Sequence, residues 1–157
     1  MGKIAGGWQI SALSQWQTGA PLTATLSGNF SNSGGTTDRP NVVGNPNVDA
    51  PHSPRKWFNT AAFQVPAASG AAGALYSFGN EGRGVILGPG LVTTDFSVVR
   101  NFQAREWLRI QARAEWFNAF NHANFQFPGL VANTTTFGSI SGALDPRVSQ
   151  LSLKLVY

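Results

Sequence analysis

The sequence has no cysteine, and only 11% of its residues are charged. Without sulfur, a disulfide scaffold, a zinc–thiolate site and a cysteine nucleophile are all excluded. The charged fraction is less than half of the roughly 25% usual in globular domains, which argues against long, charge-laced helices. No segment approaches the roughly 18 consecutive apolar residues of a membrane-spanning helix. A Walker-type phosphate loop is also missing. The basic residues are scattered, with Arg55-Lys56 as their only short cluster, so a net charge of +4 leaves no nucleic-acid footprint. The opening MGKIAGGWQIS carries one Lys but neither an apolar core nor a small-residue cleavage site. Such a chain is expected to be cytoplasmic or a piece of something longer, and its strand pattern favours the piece.

What is present is aromatic and neutral-polar. The chain holds 11 Phe, 5 Trp and 2 Tyr, too many for a disordered segment of small net charge. Asn, Gln, Ser and Thr supply the polarity that Lys and Glu usually supply. Period-two alternation, the signature of a strand with two different faces, recurs along the chain. Trp8, Ile10, Ala12 and Trp16 share one face against Gln9, Ser11, Gln15 and Gln17. Leu22, Ala24 and Leu26 resume the pattern after the Thr18–Pro21 turn, so residues 8–27 read as a hairpin. Phe96, Val98 and Phe102 oppose Asp95, Ser97 and Asn101. Leu108, Ile110, Ala112, Ala114 and Trp116 oppose Arg109, Gln111, Arg113 and Glu115. As a helix this last run would spread its apolar positions around the whole circumference, so the strand reading prevails. Leu151, Leu153, Leu155 and Tyr157 close the chain on one face, against Gln150, Ser152 and Lys154. These patterns predict an all-β, antiparallel protein with about five strands, at 8–17, 21–27, 92–102, 106–118 and 147–157.

Between them, residues 28–90 hold most of the prolines and the small-residue patch Ala67–Ala74. Proline stays out of central strands, so this stretch is expected to be a long external loop with short strands or turns, pinned by Trp57, Phe58 and Phe63. Residues 118–145 form a second, Asn/Thr/Gly-rich connection. Strands of this length suit a tilted membrane crossing of about 9–11 residues. Aromatics gather near strand ends, as an interfacial girdle requires. Short connections alternate with very long ones, as in outer-membrane barrels. The pattern is that of an outer-membrane β-barrel; the alternative is a soluble β-sandwich binding module packed around its Trp residues.

The wording of the sequence adds to this. The motifs are Gly7-Trp8-Gln9-Ile10-Ser11, Gln17-Thr18-Gly19-Ala20-Pro21-Leu22, Asp38-Arg39-Pro40-Asn41-Val42-Val43-Gly44, Trp57-Phe58-Asn59-Thr60-Ala61-Ala62-Phe63 and Phe78-Gly79-Asn80-Glu81-Gly82-Arg83. Gly88-Pro89-Gly90, Asp95-Phe96-Ser97, Arg100-Asn101-Phe102, Arg113-Ala114-Glu115-Trp116-Phe117-Asn118, Phe120-Asn121-His122-Ala123-Asn124-Phe125 and Phe137-Gly138 follow in order. The ordered set resembles the C-terminal end of TonB-dependent outer-membrane receptors, of the Oar-like type that carries a carboxypeptidase-regulatory-like domain. The resemblance implies a 22-stranded, plugged barrel that imports nutrients. It implies that Leu151, Leu153, Leu155 and Tyr157 are the signal read by the barrel-assembly machinery. Plug, TonB box and most strands of the family are absent here, and barrels of this kind start at about 8 strands. The chain is therefore expected not to transport alone. Its expected partners are outer-membrane lipid, and the remainder of the barrel or copies of itself through edge strands. Self-assembly would give an oligomer or filament, extracellular rather than in the outer membrane.

Candidate site residues follow from these faces. Arg109, Arg113 and Glu115 are expected to form a lumen-facing charge ladder, with Asp95 and Glu115 as partners for Arg100, Arg109 or Arg113 rather than an acid–base pair. Asp38, Arg39, Trp57, Phe58 and Arg83 are expected on the ligand-side loop. His52 and His122 lie far apart, without metal-ligand spacing, and read as loop histidines. Gly138-Ser139-Ile140-Ser141-Gly142 places Ile where a nucleophile elbow needs Ser. Asn29-Phe30-Ser31 and Asn133-Thr134-Thr135 match a glycosylation pattern without consequence in a bacterial protein. No enzyme activity, catalytic residue, cofactor or metal is expected.

Overall fold

A computed structural model describes residues 6–66 and 76–157; the Ala67–Ala74 patch and the first five residues lie outside the described residues. In chain order the strands are β1 (Trp8–Gln17), β2 (Pro21–Leu22), β3 (Leu26–Ser27), β4 (Thr37–Asp38), β5 (Asn41–Val42), β6 (Phe63–Gln64), β7 (Ile86–Leu87), β8 (Leu91–Arg105), β9 (Leu108–Phe117) and β10 (Val148–Val156). A 3₁₀ turn, Thr60–Ala62, precedes β6; the Asn59 side chain caps it by accepting from the Ala61 N–H. The strands divide between two units: Met1–Gln17, Leu91–Asn124 and Leu144–Tyr157 form the first, and Thr18–Gly90 with Phe125–Ala143 the second.

The first unit is an antiparallel sheet in the order β1-β8-β9-β10. Trp8 pairs with Arg100 and Gln17 with Leu91. Phe96 pairs with Trp116, and Trp116 with Ser149. A bulge between Gln103 and Arg105 interrupts the β8–β9 ladder just before the Glu106-Trp107 turn. The Gln103 amide secures that turn, donating to the carbonyls of Arg105 at 2.8 Å and Glu106 at 3.0 Å. The sheet is open among the described residues, and its edge strands β1 and β10 are exposed along their whole length.

This register corrects the expected 8–27 hairpin. The alternation in 21–27 is real, since Leu22, Ala24 and Leu26 are all buried. The segment belongs to the second unit, however, and β1 takes β8 as its partner instead. Two-fold periodicity reports a two-faced extended chain; it does not say who pairs with it.

In the second unit the described residues of the long excursion are folded. Its core is Leu22, Ala24, Phe58, Ala62, Phe63 and Ile86, with Phe137 packed against it. The Phe58, Phe63 and Phe137 rings meet edge to face, with centroids 5.1–5.8 Å apart. That geometry places the positive edge of each ring on the negative face of another. The extended run 21–28 is served by several partners in turn: β7 at Leu22, the Leu130 carbonyl at Thr25 and β4 at Leu26. Between them the Ala24 N–H donates to Glu81 Oε1 at 2.7 Å. Prolines keep the unit from forming one broad sheet, because each removes a ladder donor.

Candidate functional site

Antiparallel register partners project to the same side of a sheet. The pairs above therefore put Trp8, Ile10, Ala12 and Trp16 on one face with Phe96, Val98, Ala112, Ala114, Trp116, Leu151, Leu153 and Leu155. The opposite face carries Gln9, Ser11 and Gln15 with Asp95, Ser97, Asn101, Arg109, Gln111, Arg113, Glu115, Gln150 and Lys154, and with them the apolar Leu13, Val99 and Val156. Among the described residues, much of the apolar face is open. Leu151 is 81% exposed, Leu153 66%, Trp16 80% and Tyr157 95%. Hydroxyls on it satisfy each other, as Ser14 Oγ and Thr94 Oγ1 do at 3.0 Å.

The polar face is cross-linked by its own side chains. Gln111 donates to Asn101 Oδ1 at 2.8 Å, a directly opposed pair. Arg113 and Glu115, next but one along β9, form an ion pair of 3.4 Å. Both remain partly open to solvent, so the pair fixes side-chain direction more than stability. Arg109 lies on the same face. Asp95 Oδ1 accepts from the Asn118 N–H at 3.0 Å, so its partner is a backbone turn. The expectation that Arg100 joins this ladder is overturned: Arg100 pairs with Trp8 and Ala112 and so projects from the apolar face.

Asparagines anchor one end of the sheet, a role that sequence reading missed. Asn124 is buried and grips Val92 on both backbone groups, accepting its N–H at 2.8 Å and donating to its carbonyl at 2.9 Å. Asn118, at positive φ, donates to the His122 carbonyl and accepts the His122 N–H, both at 3.0 Å. Asn121 accepts the Arg147 N–H at 3.0 Å at the entrance to β10. The motif Phe117–Asn124 is thus a clasp that replaces ladder partners with amides. In the second unit Asn133 grips Ser27 in the same bidentate way, and Asn80 grips Val42.

The expected ligand-side residues all lie in the second unit. Asp38 is buried and faces inward, its two oxygens accepting from Ser31 N–H at 2.7 Å and Ser31 Oγ at 2.9 Å. The Ser31 backbone bond holds its carboxyl below the ordinary value of 3.8. Arg39 donates to the Glu81 carbonyl at 3.2 Å. Trp57 donates through Nε1 to the Leu87 carbonyl at 3.0 Å, while Phe58 is fully buried. Arg83 is exposed. Gly79 packs so tightly on the Arg39 and Pro40 carbonyls that a Cβ would collide with both. Burial pushes the Glu81 carboxyl above its ordinary 4.5, with the Ala24 N–H and the charge of Arg39 opposing that rise.

Among the described residues no three His, Asp or Glu side chains gather. His52 stacks edge-on against Trp57 at 5.1 Å, and His122 Nδ1 lies 3.3 Å from Asn124 Oδ1.

What this arrangement offers is an apolar side, a wet hydrogen-bonded side and, among the described residues, open strand edges. No helix is long and apolar enough to cross a membrane among the described residues, which says nothing of a strand barrel. No curated protein and no solved structure matches the chain. Residues 1–150 match the family described as outer membrane beta barrel domain. With two-faced antiparallel strands and a match over most of its length, the chain belongs to the outer membrane beta barrel domain family.

Proposed function

We propose that the chain is the C-terminal barrel segment of a TonB-dependent outer-membrane receptor. In this reading the Trp8/Val98/Ala114/Leu151 side faces lipid, and the Arg109/Arg113/Glu115 side faces the water-filled lumen. The second unit, inserted between β1 and β8, is a ligand-side element outside the membrane. The segment does not transport by itself. Its edges require strands, because unpaired N–H and C=O groups in hydrocarbon each cost several kcal/mol. Leu151, Leu153, Leu155 and Tyr157 act as the signal for the barrel-assembly machinery.

The observation that carries this reading is the segregation across four registered strands of Ile10, Val98, Ala114 and Leu151 from Arg109, Gln111, Arg113, Glu115 and Lys154, with Arg100 on the apolar face and Leu13 and Val99 on the polar face as exceptions. The natural absence of cysteine gives a direct test. Single cysteines at Arg109, Gln111 and Arg113 should react with a membrane-impermeant maleimide in isolated outer membranes, and those at Ile110, Ala112, Ala114 and Leu153 should not. Uniform labelling sinks the barrel. Failure of the outer-membrane protein to co-isolate with the TonB complex sinks the receptor reading alone. The bare edges of β1 and β10 favour one other reading, self-assembly through edge pairing. Detergent-resistant oligomers of this chain alone would decide for it.

A further inference from the structure

The polar face carries more positive charge than its carboxylates neutralise, and the surplus lies at one end. Its ionisable groups within the four strands are Asp95, Arg109, Arg113, Glu115 and Lys154. Both carboxylates are already engaged. Glu115 pairs with Arg113 at 3.4 Å, and Asp95 accepts the Asn118 N–H at 3.0 Å. The Arg109 and Lys154 side chains are exposed and make no ion pair or hydrogen bond among the described residues. Glu106 lies in the turn beyond and pairs with neither.

Register brings these two cations together. Lys154 stands directly opposite Gln111, and Arg109 opposite Val156, so Arg109 and Lys154 are diagonal neighbours on β9 and β10. Diagonal side chains leave the sheet roughly 7–8 Å apart, within joint reach of two long chains. Glu115 stands about 13 Å along β9 from Gln111, beyond the screening length of about 8 Å at physiological ionic strength. Neutral donors occupy the middle of the patch. Gln111 is half-buried, and its Nε2 donates to Asn101 Oδ1 at 2.8 Å. That bond uses the Asn101 oxygen and one Gln111 hydrogen, which leaves the Asn101 Nδ2 hydrogens and the second Gln111 hydrogen as donors. Like charges at neighbouring sheet positions repel. An oxyanion between them turns the repulsion into two charge-assisted contacts. The guanidinium fork matches two oxygens of a tetrahedral anion, the ammonium is a point charge for a third, and two cations balance a dianion.

We propose that Arg109 and Lys154, with the amides of Gln111 and Asn101, bind a doubly charged oxyanion, the phosphoryl group of inorganic phosphate or of a phosphate ester. The inference rests on the reading above, in which this face is the wet wall of the lumen. It makes that wall selective for anionic solutes.

The test uses the intact outer-membrane protein in neutral detergent at constant ionic strength. Phenylglyoxal modifies Arg109 and an acetylating ester modifies Lys154, each read by peptide mass spectrometry. In excess inorganic phosphate both reactions should slow about ten-fold, by the factor 1 + [L]/Kd. Lys56 and Arg83, in the second unit, should react unchanged. Glucose 6-phosphate separates the sources: protection by it as well assigns the site to phosphate esters, and protection by inorganic phosphate alone assigns it to the free ion. Acetate, a monoanion, should not protect at the same concentration. Arg109→Gln should raise the phosphate concentration that half-protects Lys154 about ten-fold, and Arg109→Lys should raise it less. Gln111→Met keeps both charges and should still raise it about three-fold. Heat-modifiable electrophoresis verifies that each variant is folded. Equal protection by acetate, or unchanged protection in Arg109→Gln, overturns the proposal and leaves a plain solvated patch. Shielding of Arg109 and Lys154 with no anion added overturns it too, because another part of the barrel then covers them. Maleimide labelling of Gln111→Cys in isolated outer membranes separates the two levels. A labelled position 111 without phosphate protection defeats this site alone, whereas an unlabelled one defeats the lumen reading beneath it.

Discussion

Glu81 Oε1 accepts the backbone N–H of Ala24 at 2.7 Å, so a buried carboxylate stands where a neighbouring strand would otherwise supply a carbonyl. Glu81→Ala should leave that donor unsatisfied and destabilise the second unit by about 1–3 kcal/mol. Glu81→Gln keeps an acceptor and should cost less. Burial raises the Glu81 pKa above 4.5. The folded state therefore binds its proton more readily than the unfolded chain, and this contribution to stability is present below 4.5 and lost as pH rises through the folded pKa. Asp38 runs the other way: its contribution is present above 3.8 and lost as pH falls through its depressed folded pKa. Denaturation of the second unit should thus show stability rising on acidification from neutral pH toward 4.5, then falling. Glu81→Gln should flatten the rise. A flat wild-type profile in that window would contradict the burial argument.

The Asn124 clasp predicts a local loss. Asn124→Ala frees both backbone groups of Val92, for about 1–3 kcal/mol at this buried position. Amide hydrogen exchange at Val92 should accelerate while that at Ala114 keeps its protection. Uniform acceleration across β8 and β9 would mean that Asn124 supports the sheet as a whole.

Removing a ring from the Phe58/Phe63/Phe137 trio should be the most damaging single truncation in the second unit. Phe58→Ala is expected to cost about 3–5 kcal/mol, transfer and cavity together. The check is chemical denaturation followed by near-ultraviolet circular dichroism. A cost near that of an exposed Phe, such as Phe78→Ala, would show that the rings are not the core.

Charge on the two faces should be tolerated unequally. Leu153→Arg puts a cation on the apolar side, where mid-bilayer placement costs about 2–4 kcal/mol. Ser152→Arg, one residue earlier, faces the polar side and should fold into vesicles with near wild-type yield. Equal yields for both variants would refute the assignment of faces.

Much of this was readable from residue order because side-chain direction in a strand depends only on parity. Trp8, Ile10 and Ala12, or Leu151, Leu153 and Leu155, share a face whatever their partners. The same parity assigns Arg100 to the side of Phe96, Val98 and Phe102. Grouping it with the lumen charges let its chemistry outweigh its position. Partner choice was not readable. The alternation in 21–27 has the same form as that in 8–17, yet its hydrogen bonds go to Leu130, Glu81 and β4. The asparagine clasps were hidden for a related reason. Composition shows that Asn replaces charge, but Asn133 finds Ser27 across 106 residues, and only the folded chain supplies that meeting. Among the expected loop residues, Asp38 and Phe58 are interior groups, and nothing local to them distinguished interior from ligand-facing.

Gln17 and Leu91 are ladder neighbours although the entire β2–β7 insertion separates them in the chain. Inside that insertion the Gly88 N–H donates to the Ala20 carbonyl at 2.9 Å, and Gly19 lies so close to the Gly88 carbonyl that no side chain would fit. Once the insertion has folded, its entry and exit are already pinched together. The meeting of β1 with β8 then carries the small closure entropy of a tight turn instead of that of a long free coil. Early folding of the insertion would thereby choose which strand β1 meets, making the inserted element a guide to assembly.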